Sequence, residues 1–143
     1  MIKQDIYLDK YHWHIRIYYE VHAVWKDKIM EDVMDIGIKG RNAKTAVAML
    51  KEAVMNTGFT YSNLDEGESV VVVFNGSSAA QFFNSLLHEM FHAHKHICEA
   101  KEIDPFGEEA AYLMGDLCGE IYPEVKHLLC GCGNHESDKD RPK

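Results

Sequence analysis

The stretch SVVVVFNGSSAAQFFNSLLHEMFH, residues 69–92, decides how the chain is read. It opens with a continuous β-branched run, Ser69 to Asn75, which is the signature of a strand covered on both faces. Asn75-Gly76 ends that strand. Ser78 and Gln81 then stand at capping-box spacing, so a helix opens there and runs to about Cys98. Placed at about 100° per residue, this helix separates two surfaces. Phe82, Phe83, Leu86, Leu87, Met90, Phe91 and Ile97 form an apolar stripe, while His88, His92 and His96 lie opposite it with Gln81 and Ser85, and Glu89 falls at the margin.

Working outward, residues 12–24 alternate: Trp13, Ile15, Ile17, Tyr19, Val21 and Ala23 share one face, and His12, His14, Arg16, Glu20 and His22 the other. That pattern predicts a half-buried strand. The polar WKDKIMED segment reads as a turn leading to a second strand over Val33 to Ile38, which makes an N-terminal hairpin. Asn42 is a suitable N-cap for a helix over 43–57, ended by Gly58, with Ala46, Val47, Leu50 and Val54 at helical spacing. TYSNLDEGE reads as turn-rich. After the long helix, Asp104-Pro105 opens another, expected to run to about Tyr122 before Pro123. The expected fold class is therefore α+β, in the order β-β-α-β-α-α, with residues 1–125 as one domain and 126–143 as a polar, breaker-rich tail.

Composition sets limits on function. The chain has 143 residues, 46% hydrophobic and 27% charged, as a single globular domain requires. A formal net charge of −8 argues against general nucleic-acid binding, which needs a basic surface. No apolar run approaches membrane-spanning length, and the first residues lack the apolar core of a secretory signal. A cytoplasmic protein with reduced cysteines is expected.

Chemistry concentrates in HEMFH, residues 88–92. In H-E-x-x-H the two histidines lie about one helical turn apart, so both imidazoles can reach one ion. Glu89 is displaced by about 100°, close enough to polarise a water without being a ligand. His96 is eight residues from His88, about 12 Å along the axis, too far to share an ion held at about 2 Å. The longer pattern with glycine and a third histidine is absent, since Lys95 and Cys98 occupy those places. The third ligand is therefore sought in GEEAAYLMG, residues 107–115. Glu108 shares a helical face with Ala111, Tyr112, Gly115 and Gly119, and its strip of Ala and Gly would allow close packing of two helices. Glu109 lies nearer Asp116 and is the other candidate. Elsewhere, His127, Cys130, Cys132 and His135 contain metal-ligand types, but the C-x-C spacing is tighter than that of structural zinc sites. His12, His14 and His22 read as an exposed strand face.

HEMFH followed by EEAAYL resembles the gluzincins, zinc metallopeptidases with H-E-x-x-H on one helix and a glutamate on a later one. It looks most like the minimal gluzincin-type domains frequent among phage and prophage proteins, over residues 69–122. The family pattern carries an aromatic residue four after the glutamate, and Tyr112 selects Glu108. The resemblance implies one Zn2+ held by His88, His92 and Glu108, with Glu89 as general base and a peptide or protein substrate lying along a sheet edge. Larger members add a His or Tyr that stabilises the oxyanion; Tyr112, His94 and His96 are the substitutes this chain offers. Asp116 is the candidate partner for the outer nitrogens of the zinc histidines. A non-catalytic zinc-stabilised module, such as a phage particle component or host-factor binder, is the alternative expectation, and a metal-free domain with a solvated histidine face is the third.

Overall fold

A computed structural model describes residues 1–130; Cys132 and His135 lie outside the described residues. The chain folds as α+β, with a four-stranded mixed sheet between two pairs of helices. Strand β1 (Ile2–Leu8) pairs antiparallel with β2 (Trp13–Val21), in register from Ile2 opposite Tyr19 to Leu8 opposite Trp13. Helices α1 (Lys26–Asp35) and α2 (Arg41–Glu52) follow. Strands β3 (Gly58–Asn63) and β4 (Glu68–Phe74) form a second hairpin. β4 lies parallel to β2, which gives the order β1-β2-β4-β3. Helices α3 (Ala79–Ala100) and α4 (Glu108–Val125) complete the domain, and a short 3₁₀ turn, Lys126–Leu128, follows.

Two apolar cores explain the layering. Ile6, Trp13, Ile15, Ile17, Tyr19, Val71 and Val73 point to one face, where α3 and α4 cover them. Tyr18, Phe59, Val70, Val72 and Phe74 point to the other, under α1 and α2. Burial on both faces of β4 is what its unbroken valine run predicts.

Several expectations are corrected. The segment read as a turn and then a strand over Val33 to Ile38 is α1: Ile29, Met30 and Val33 recur at helical spacing and are all buried. Its end is a Schellman cap, in which Ile38 N bonds to Val33 O, Gly37 N bonds to Met34 O, and Gly37 takes φ +95°. The N-terminal hairpin therefore pairs β2 with β1, not with residues 33–38. Val21 leaves the Trp13–Tyr19 face because Glu20, at φ +52°, bulges the strand between Tyr19 and Val21. α2 starts after Gly40, not at Asn42, and stops at Ala53 in the left-handed region, five residues short of Gly58. Gly58 instead begins β3, so the true turn in TYSNLDEGE is confined to residues 64–67. There Asn63 Oδ1 accepts from the backbone N–H groups of Asp65 and Glu66. α4 begins at Glu108, because Asp104 Oδ1 caps a turn by accepting from Phe106 N. Pro123 sits inside the last turn of that helix rather than beyond it. Leu128 and Leu129, expected in the tail, pack against the α3–α4 core.

Arg16 ties α1 to the sheet on its side, bonding Asp32 at 2.8 Å, Asp35 at 2.8 Å and Glu68 at 3.2 Å. Among the described residues no helix is long and apolar enough to cross a membrane.

Candidate metal centre

α3 places the site. Ser78 Oγ accepts from Gln81 N at 3.1 Å, which caps the first turn as the sequence predicts. The helix is rolled relative to the expected stripe. Phe83 and Phe91 are about half exposed, whereas Ser85 and Glu89 are buried. The roll brings the glutamate side of the helix against β3, the edge strand, so the H-E-x-x-H residues occupy a seam between helix and sheet.

That seam is built for a carboxylate. Glu89 is only 5% exposed, and its Oε1 accepts from Thr60 Oγ1 at 3.0 Å. The same hydroxyl lies 3.1 Å from Glu89 O, which fastens the helix backbone to the strand. Gly58 makes the room: a Cβ there would stand 2.4 Å from Val72 O and 2.9 Å from Glu89 Cγ. Burial raises the Glu89 carboxyl above its ordinary range, against the opposing pull of the Thr60 hydroxyl and the two imidazoles.

His88 is exposed and His92 half-buried. Their Nε2 atoms are 3.2 Å apart, with ring centroids at 4.9 Å. Two nitrogens bound tetrahedrally to zinc at 2.0–2.1 Å would be about 3.3 Å apart, so the pair already has the spacing of two zinc ligands. Ligand atoms of His88, Glu89 and His92 all lie within 4.8 Å of one another. The donor set fits a divalent ion. A cavity of about 280 Å³ opens beside His88 and Glu89, lined by Asn56, Gln81, Asn84 and Ser85. Another of about 360 Å³ opens beside His92 and His96. His96 Nδ1 is 2.7 Å from Ser62 Oγ on β3.

Glu108 does not join this group. It is exposed on α4 and lines a groove with Tyr7, Tyr11 and Tyr112. Glu109 accepts from Tyr11 Oη at 3.0 Å and pairs with Lys10 at 3.5 Å. The cause is the way α4 meets α3. His94, buried on the flank of α3 away from His88 and His92, donates from Nε2 to Ala110 O at 2.8 Å and sets that contact. The face carrying Glu108, Ala111, Gly115 and Gly119 therefore turns outward, and an added Cβ at either glycine would meet nothing within 4 Å among the described residues. The expected close helix packing along that strip is absent. Asp116 lines the same groove and offers no bond to the zinc-type histidines. Among the described residues, Nδ1 of neither His88 nor His92 has a protein partner.

The sequence reading missed Gly58, Thr60 and Ser62, because their segment resembles a turn. The alternation of Phe59 and Tyr61 with Thr60 and Ser62 is the signal that marks it as a strand. No family model, curated protein or solved structure matches this chain.

Proposed function

We propose that the protein is a zinc-dependent hydrolase that cleaves peptide bonds, with His88 and His92 holding the ion and Glu89 as general base. The observation that carries this reading is the pair of Nε2 atoms 3.2 Å apart beside a buried, hydroxyl-oriented carboxylate. Zinc, when bound there, supplies Lewis acidity toward a carbonyl and lowers the pKa of water. Glu89 has the fixed position and the raised proton affinity that a base needs: it takes a proton from the attacking water and delivers it to the departing amine. Thr60 keeps the carboxylate aimed, and Gly58 keeps the space it occupies.

Among the described residues β3 is an edge strand; it runs alongside the site and suits an extended peptide added as a further strand. The two cavities would then take side chains on either side of the cleaved bond. The outward placement of Glu108 favours, as the second reading, a zinc-stabilised module without catalysis. Zinc-loaded protein and its Glu89→Gln variant, incubated with a broad peptide library and read by mass spectrometry, separate the two. Cleavage by the unmodified chain alone supports the enzyme. Identical behaviour of both forms removes the catalytic reading.

A further inference from the structure

His96 stands one turn beyond His92 on α3, and a chain of hydrogen bonds through the sheet holds its ring. Trp13 Nε1 is 2.9 Å from Ser69 Oγ, Ser69 Oγ is 2.7 Å from Ser62 Oγ, and Ser62 Oγ is 2.7 Å from His96 Nδ1. Ser62 and Ser69 are directly opposed across β3 and β4.

The polarity of this chain follows from its members. An indole N–H can only donate, so Ser69 Oγ accepts from Trp13. Ser69 is fully buried, and among the described residues its only other side-chain partner is Ser62. Its own proton must go to Ser62 Oγ, since a buried hydroxyl proton without an acceptor is costly. Ser62 then donates to His96 Nδ1. With His96 donating from Nδ1, Ser62 Oγ would accept from both Ser69 and His96, and its own proton would have no protein acceptor among the described residues. The arrangement that gives both serine protons a protein acceptor makes Nδ1 an acceptor, and neutral His96 then carries its proton on Nε2. Among the described residues Nε2 has no protein partner. The ring lines the cavity that His92 also lines, with 6.5 Å between their centroids.

We propose that His96 is a catalytic hydrogen-bond donor of the His88–His92 site, and that Trp13, Ser69 and Ser62 are positioning residues that fix its tautomer. The proposal rests on the zinc-hydrolase reading and supplies the oxyanion donor for it. As the water oxygen bonds to the carbonyl carbon, the C=O π pair moves onto oxygen, and the Nε2–H group of His96 donates to that oxygen. His96 gives up no proton, while Glu89 takes the proton of the water and passes it to the amine as the C–N bond breaks. A donor aimed at developing charge in a part-buried site is the kind of group that lowers such a barrier most.

Two measurements test this. In protein labelled with ¹⁵N-histidine, the zinc-free unmodified chain is expected to show His96 protonated at Nε2 and bare at Nδ1, and Ser62→Ala to lose that preference. A proton on Nδ1 in the unmodified chain would overturn the assignment. Acetohydroxamate, a zinc-binding anion, is then titrated into zinc-loaded protein. His96→Ala is expected to weaken its binding about tenfold with zinc affinity unchanged and the protein still folded by circular dichroism, and His96→Gln, which keeps an N–H donor, to recover part of the loss. Equal acetohydroxamate affinity in the unmodified and His96→Ala proteins would overturn the donor role. An unmodified chain that binds no zinc would overturn the site reading and the donor role together, and the tautomer result would still report on the hydrogen-bond chain.

Discussion

Thr60→Val tests how the sheet tunes the base. Valine keeps the shape of threonine and suits an edge strand, so the substitution removes the hydroxyl and little else. In the native protein that hydroxyl donates to Glu89 Oε1 at 3.0 Å and favours the ionised carboxylate. A hydrogen bond to a charged group contributes about 1.5–3 kcal/mol net. Because the same proton is shared with Glu89 O at 3.1 Å, the lower end applies. Loss of the hydroxyl therefore removes about 1.5 kcal/mol of preference for the ionised form, and the Glu89 carboxyl should titrate higher in the variant. The sign is fixed: burial already raises this group, the hydroxyl opposes the rise, and its loss leaves burial less opposed. The assay is a ¹³C NMR titration of the Glu89 side-chain carboxyl in zinc-free protein, with the acid limb of any peptidase pH profile expected to move the same way. A carboxyl that titrates at the same pH or lower in Thr60→Val would refute the reasoning.

Three other outcomes are expected. Gly58→Ala places a Cβ 2.4 Å from Val72 O and 2.9 Å from Glu89 Cγ, so β3 must lift, at a cost of about 1–3 kcal/mol and about 3–9 °C in Tm by calorimetry. Burial opposes ionisation of Asp32, but the Tyr18 hydroxyl, Lys3 and Arg16 outweigh it and hold the carboxyl below its ordinary range. Its contribution is complete above the unfolded value of about 4 and is lost as pH falls through the folded one, so Asp32→Asn should cost about 1–2 kcal/mol in urea unfolding at pH 7 and progressively less below pH 4; an equal cost at pH 7 and pH 3 would contradict the charge argument. Glu108→Ala should leave zinc affinity within about threefold, because the side chain lines the α4 groove and not the histidine pair; a large loss measured by competition with a chelator would restore Glu108 as a ligand.

What could be read from residues alone depended on whether one element sufficed. The valine run of β4, the Ser78 cap and the H-E-x-x-H spacing are local patterns, and the structure keeps them. β1 escaped notice because its inward face includes Gln4, whose Nε2 donates to Glu120 O and whose Oε1 accepts from Tyr19 Oη, so a polar residue fills an apolar slot. α1 was misread because Val33 to Ile38 is short and apolar, a length at which strand and helix are hard to tell apart. The roll of α3 depends on Thr60 and Gly58, which lie on a strand about 30 residues away in sequence. Likewise the outward turn of Glu108 is set by His94 on a different helix, which a helical wheel of α4 alone does not contain.

The central claim is that His88 and His92 together hold one divalent ion. Its most direct test is the zinc content of purified protein, measured by elemental analysis beside His88→Ala and His92→Ala, with circular dichroism to show that each variant is folded. One zinc per unmodified chain, lost in both folded variants, is the predicted result. Equal zinc in all three proteins would place the metal elsewhere and contradict the account.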